Sequence, residues 1–108
     1  MASNKGRTNE INMNLNFIKD LIKKDPDIIN KSIDQNGSTL LYHSAIQNNY
    51  EVVKYLLESG ANPNIKNNIG KTALHQAVQR SDSKIINVLL EFGANPNNQQ
   101  QVIVIIIK

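Results

Sequence analysis

The residues of this 108-residue chain that could perform chemistry are few and poorly spaced for it. The only histidines are His43 and His75, and there is no cysteine. A closed four-ligand zinc site would need carboxylates beside these histidines, and the spacing does not offer them. Ser44 directly follows His43, so on a helix the two side chains do not face each other as a nucleophile and its base must. We therefore predict no enzyme, no metal site and no cofactor.

The elements that position these residues come from a stretch that is present twice, with a period of 33 residues and no gap. Gly37 recurs as Gly70, and the motif Gly-Ala-Asn-Pro-Asn ends both copies. A fixed period in this range indicates a stacked repeat architecture. The two copies span residues 34–66 and 67–97.

Each copy is predicted to form a loop, a short helix, a turn and a second helix. In the second copy, the Thr72 hydroxyl can cap the first helix and Asp82 can cap the second. The turn between the helices falls on Asn48 in one copy and on Ser81 in the other. Asn adopts a left-handed conformation there readily, whereas Ser adopts it less readily. A single helix pair cannot bury its apolar face alone, so the pairs are expected to stack.

Two motifs carry a resemblance to a known family. The second copy contains Gly70-Lys71-Thr72-Ala73-Leu74-His75-Gln76-Ala77, against a family pattern of Gly-x-Thr-Pro-Leu-His-x-Ala. Both copies end in Leu-Leu-Glu-x-Gly-Ala-Asn-x-Asn. On these motifs the chain resembles the ankyrin repeat family. The resemblance implies an all-α solenoid of stacked helix-turn-helix units, and a structural role for His75 near the start of its helix.

The resemblance continues upstream as a partial N-terminal capping repeat over residues 10–33, preceded by a flexible N-terminus over residues 1–9. A weak or shortened cap helix is expected before Phe17. A better helix is predicted from Phe17 to Lys24 and is closed by Asp25-Pro26. Its buried side is expected to contain four residues: Phe17, Ile18, Leu21 and Ile22.

Beyond Asn97 the repeat pattern stops. Residues 98–108 read as a polar linker followed by the apolar run Val102–Ile107. Continuing the period would require Gly, Thr and Leu at three positions that are all isoleucine, so a third full repeat is predicted to be absent. The apolar run is β-prone, and it is expected to cover an open end of the stack or to support self-association.

The function that the resemblance implies is binding of a partner protein through the concave groove and loop tips. Two of the implied contact positions, Ile46 and Ile69, are apolar where solvent is expected. An apolar residue ringed by polar groups is typical of the centre of an interface. Carried over position by position, the contact residues are Gln35, Asn36, Ser38, Ile46, Gln47, Asn68, Ile69, Lys71, Gln79 and Arg80.

Two other interpretations stay open at this point. The first is that the chain is a fragment of a longer ankyrin protein without an autonomous function, which the abrupt loss of the pattern after Asn97 supports. The second is weak binding to an anionic surface or to nucleic acid, because the net charge is +3. The basic residues are scattered, however, and a nucleic-acid binder usually has a clustered basic stripe with stacking aromatic residues.

Composition also leads to an expected location. The first residues lack the apolar region of a secretory signal, and no apolar run approaches the roughly 20 residues of a membrane span. The absence of cysteine favours a reducing compartment. We therefore predict a cytoplasmic protein, in the host cytosol if the source is a virus or an intracellular bacterium.

Overall fold

The computed structural model describes residues 12–96, and this part of the chain is built from helices and loops without a strand. The predictions for residues 1–9 and 98–108, including self-association through the tail, lie outside the described residues. Within the described part, the all-α repeat fold expected from the sequence is confirmed. Its elements are α1 (Leu15–Lys24), a 3₁₀ helix (Pro26–Asn30), α2 (Leu40–Ile46), α3 (Tyr50–Glu58), α4 (Ala73–Gln79) and α5 (Ser83–Glu91).

The helices stack in two rows. The first helix of each full repeat packs against its equivalent, α2 against α4, and the second helices pack in the same way, α3 against α5. Helix α1 extends the second row by packing on α3, and the 3₁₀ helix packs on α2. One continuous apolar core runs through all of them, and its fully enclosed side chains include Ile18, Leu41, Leu56, Leu74 and Ile85.

Side chains at the helix starts satisfy backbone N–H groups that have no partner within the helix. Asp82 accepts a hydrogen bond from the Ile85 N–H at 3.1 Å, which confirms the predicted cap of α5. Asn49 caps α3 in the same way, through the Val52 N–H at 3.3 Å. Thr39 caps α2 with its hydroxyl group. The second helices of both repeats therefore begin at equivalent polar residues, one period apart.

The turns between paired helices adopt the predicted left-handed conformation. Asn48 has a φ of 57° and Ser81 a φ of 56°. This conformation costs a residue with a Cβ atom roughly 1–2 kcal/mol, and Asn recovers part of that through local hydrogen bonding. The tight turn is therefore obtained at a higher conformational cost at Ser81 than at Asn48.

Asparagine side chains join the loops that follow the second helices. Asn64 accepts the Asn95 N–H at 2.7 Å and donates to the Gly93 carbonyl at 3.0 Å. One repeat earlier, Asn30 accepts the Asn62 N–H at 2.7 Å. Each such asparagine therefore spans two consecutive repeats and fixes their spacing at this edge.

The N-terminal helix differs from the prediction in two respects. It begins at Leu15, after an Asn14 cap in extended conformation, and residues 12–14 are not helical, so no first cap helix occurs there. Phe17 is 45% exposed, so its predicted burial is wrong. The buried stripe is centred on Ile18 and continues through Leu21 and Ile22, which leaves Phe17 at its border.

Candidate partner-binding surface

The predicted contact residues all lie on one side of the repeats, in segments 31–47 and 64–80. Each segment comprises the loop before the first helix, the first helix itself and the residue after it. We call the surface formed by these two segments the first-helix face. The remaining segments of the full repeats, 48–63 and 81–96, carry the second helices.

Both loops of the first-helix face are held by a polar side chain at their start. The Asp34 Oδ1 atom accepts hydrogen bonds from the backbone N–H groups two and four residues later, at 2.9 and 3.0 Å. Asn67, one period further on, accepts the equivalent pair at 3.1 and 3.0 Å. Carboxylate and amide oxygens therefore have the same structural role in the two repeats.

The two loops are also bonded to each other. The Asn68 N–H donates to the Asn36 carbonyl at 2.8 Å, and the Asn68 side-chain amide donates to the Gln35 carbonyl at 3.1 Å. These bonds link neighbouring repeats at the loop tips. Because both the local and the cross-repeat polar groups are paired, the loops form an ordered edge.

Asp34 has a second partner that sequence reasoning missed. Its Oδ2 atom lies 2.6 Å from His43 Nε2. Partial burial raises the pKa of Asp34, but the Ser38 N–H, the His43 ring and the Asn36 N–H outweigh burial and bring the pKa below its usual value of 3.8. The carboxylate is therefore charged at neutral pH, and both of its oxygen atoms have partners within the loop and on α2. The two residues are nine positions apart, outside any local motif, so the repeat alignment carries no signal for this pair.

His75 supports the start of α4, as the resemblance implied. Thr72 and His75 form a capping box, in which His75 Nδ1 accepts the Thr72 backbone N–H at 3.0 Å. Burial and then the nearby Lys71 and Lys66 lower the pKa of His75 below 6.5. The ring is therefore neutral at physiological pH, and its unprotonated Nδ1 is available as the acceptor.

We expect His75→Ala to lower the free energy of unfolding at neutral pH by about 1 kcal/mol, comparable with the loss of a helix cap. Because the pKa of His75 is lower in the folded state than in the unfolded state, its contribution is complete above pH 6.5 and is lost as pH falls through the folded-state pKa. The wild type should thus lose more stability on acidification than the variant. Urea unfolding at about pH 7.5 and about pH 5.5 measures this; an equal stability difference at both pH values would contradict it.

The predicted contact residues differ in exposure. Ile69 is the most exposed of the large apolar residues, with 73% of its surface exposed. Ile46 and Lys71 are each half-buried. Ser38, also predicted as a contact residue, is only 3% exposed. Its side chain lies between the two loops, 3.5 Å from the Asn67 amide. The other predicted residues are exposed: Gln35, Asn36, Gln47, Asn68, Gln79 and Arg80.

These residues form two groups rather than one. One group lies at the loop tips and includes Asn36, Asn68 and Ile69. The other group, which includes Gln79 and Arg80, lies at the C-terminal ends of α2 and α4. A helix of seven residues, such as α4, separates it from the loop tips by about 10 Å. Arg80 faces a shallow cleft that it lines with Asn48, Ser81, Asp82, Ser83 and Lys84.

Between the two groups, a hydrogen bond that the sequence did not reveal crosses the repeats. The Gln76 side-chain amide donates to the Tyr42 hydroxyl at 3.0 Å. Tyr42 occupies the position equivalent to His75, one period earlier. The sequence contained one sign of this hydrogen bond: a tyrosine stands at residue 42 where the second copy has a histidine. Its hydroxyl group reaches the next repeat, whereas the histidine bonds at the start of its own helix.

Among residues 12–96, no three His, Asp or Glu side chains are grouped closely enough to hold a metal ion. None of the helices in this range combines the length and apolar character that crossing a membrane requires.

Comparison with known proteins identifies one family. The family model described as "Ankyrin repeats (3 copies)" matches residues 8–100, which is most of the chain. No curated protein matches the sequence.

Proposed function

Because the chain belongs to the ankyrin repeat family, whose members generally act as protein–protein interaction modules, we propose that it is a non-enzymatic module that binds a partner protein through the first-helix face. The observation that carries this proposal is Ile69, a large aliphatic side chain that is 73% exposed on a hydrogen-bonded loop. A single exposed apolar residue is ordinary, but this one stands at an ordered loop tip in the region where the family pattern implies contacts.

Order at the loop tip favours binding. The Ile69 N–H is bonded to the Asn67 side chain, and the neighbouring Asn68 is bonded to the preceding loop. A partner that covers Ile69 therefore does not have to immobilise this loop, which lowers the entropic cost of association. Around Ile69, exposed amide side chains supply a polar rim: Gln35, Asn36 and Asn68.

The proposed organisation follows the repeats. We assign residues 10–33 to a capping repeat and residues 34–66 and 67–97 to full repeats. Each full repeat then contributes one loop and one first helix to the binding surface. A chain of this kind would serve as an adaptor or scaffold, and its lack of cysteine supports action in a reducing compartment such as the cytoplasm.

We expect the double variant Ile69→Asp with Arg80→Ala to abolish partner capture, because it places a charge at the proposed apolar centre and removes a cation from the other end of the face. Both residues are exposed, so the free energy of unfolding should change by less than about 0.5 kcal/mol. The measurement is quantitative mass spectrometry of proteins captured by the tagged wild type and variant, with circular dichroism and thermal melting to verify folding.

A matched control is available on the second-helix side. Glu51→Ala with Lys54→Ala changes two exposed residues of α3 and should leave capture unchanged. Partners lost from the first-helix variant but retained by this control would support the proposal. Undiminished capture by the folded first-helix variant would show that the contact surface lies elsewhere.

A further inference from the structure

Charge is distributed unevenly over the described repeats. Segments 48–63 and 81–96, which carry the second helices, contain four carboxylates, at Glu51, Glu58, Asp82 and Glu91, and two lysines, Lys54 and Lys84. On the first-helix face the balance is reversed. Segments 31–47 and 64–80 contain a single carboxylate, Asp34, and four lysine or arginine residues: Lys31, Lys66, Lys71 and Arg80.

The one carboxylate of the first-helix face does not form an ion pair with any of these lysine and arginine residues. Asp34 already accepts two backbone N–H groups with one oxygen and contacts His43 with the other. Lys66 is exposed and Lys71 is half-buried, and neither forms an ion pair with a carboxylate among residues 12–96. Their charge is therefore directed toward solvent or toward a ligand.

The basic residues are adjacent to the apolar residue on which the proposed function rests. Lys71 and Lys66 belong to the same loop as Ile69, two and three residues away from it. Screening limits the reach of exposed charges to about 10 Å at moderate salt, so lysines this close in the loop contribute to the field that a ligand meets at Ile69. A ligand with both an apolar side chain and negative charge would complement this loop.

Among anionic ligands, the described residues favour a protein over a single-stranded nucleic acid, which would require exposed aromatic rings for base stacking. Tyr42, the aromatic residue of segments 31–47 and 64–80, is buried and bonded to Gln76. Other aromatic residues within 12–96 lie on other elements. Tyr50 and Tyr55 are on α3, each beneath a lysine ammonium group, at 4.4 and 5.6 Å from the ring centroids.

We propose that the first-helix face binds an acidic segment of a partner protein, in which an aliphatic or aromatic side chain covers Ile69 and flanking carboxylates pair with Lys66 and Lys71. This inference rests on the proposed function and specifies the partner's chemistry. The bonds from the Ile69 and Lys71 N–H groups to Asn67 hold the backbone of this loop, which limits the spacing of the apolar and acidic groups that a ligand can use.

The test begins with a displayed library of random linear peptides, selected on the purified chain. Enriched peptides should combine acidic residues with an apolar one. The best peptide is then synthesised and titrated against three folded variants. Lys66→Glu with Lys71→Glu, and separately Ile69→Ser, should each weaken binding at least about tenfold, equivalent to about 1.4 kcal/mol. Lys23→Glu with Lys24→Glu, an equal change in net charge on α1, should have little effect.

The other outcomes separate the two proposals. Neutral or basic peptides that lose affinity with Ile69→Ser but not with the Lys66/Lys71 reversal would overturn the acidic assignment and leave the proposed function standing. A selection without enrichment, or with peptides insensitive to every first-helix variant, would overturn both. Tighter binding of a labelled oligothymidine than of the best peptide, lost with the Lys66/Lys71 reversal, would assign the surface to nucleic acid and overturn the protein ligand.

Discussion

Replacing Leu56 with alanine is expected to lower the free energy of unfolding by about 2–5 kcal/mol. Leu56 is fully buried on α3, the helix that packs against α1, α2 and α5. The substitution removes apolar contacts and leaves a cavity that rigid neighbours fill only in part. A domain of this size has a total stability of the order of 5–15 kcal/mol, so the loss is a large fraction of it.

The effect should extend to the whole described stack. Each repeat is stabilised by its neighbours, and α3 lies between the capping helix and the second full repeat. Urea unfolding followed by circular dichroism measures the loss. Ile69→Ala is the matched control, since it also truncates an aliphatic side chain, but one that is 73% exposed, and it should change stability by less than about 0.5 kcal/mol. Comparable losses in both variants would contradict the core arrangement described above.

Gly37→Ala is expected to be more destabilising than Gly70→Ala, although the two glycines are equivalent in the repeat. Both have a left-handed φ, 77° and 79°, which costs alanine roughly 1–2 kcal/mol. They differ in surroundings. A Cβ atom on Gly37 would lie 2.6 Å from Asn68 Oδ1 and 3.3 Å from the Asn68 backbone nitrogen, whereas one on Gly70 meets nothing within 4 Å.

The additional cost at Gly37 comes from the hydrogen bonds between the loops. Moving Asn68 away from the new methyl group disturbs its bonds to Gln35 and Asn36, each worth about 0.5–1.5 kcal/mol. We therefore expect Gly37→Ala to cost at least about 1 kcal/mol more than Gly70→Ala, which serves as the control for backbone strain. Urea unfolding of the two variants provides the comparison.

A double-mutant cycle tests the cause of this difference. In an Asn68→Ala background the nearest clashing atoms are gone, so Gly37→Ala should cost less than in the wild type. An equal cost in both backgrounds would show that strain at Gly37, rather than contact with Asn68, determines the result.

Several features of the fold were predictable because they depend on neighbours in the sequence. The cap at Asp82 and the left-handed turns at Asn48 and Ser81 involve groups within a few residues of one another. The 33-residue period then implied stacking, since equivalent helices with apolar faces pack against each other. These local rules were sufficient to predict the repeat and its order of elements, and the resemblance of its motifs indicated the family.

What the tertiary structure decided involves groups brought together from distant parts of the chain. The burial of Ser38 depends on Asn67 in the next repeat, and the exposure of Phe17 depends on how α1 packs against α3. The separation of the contact residues into two groups follows from the length of α4. A period specifies which positions are equivalent, but burial and charge environment depend on the side chains that the adjacent repeat supplies, and these differ between the two copies.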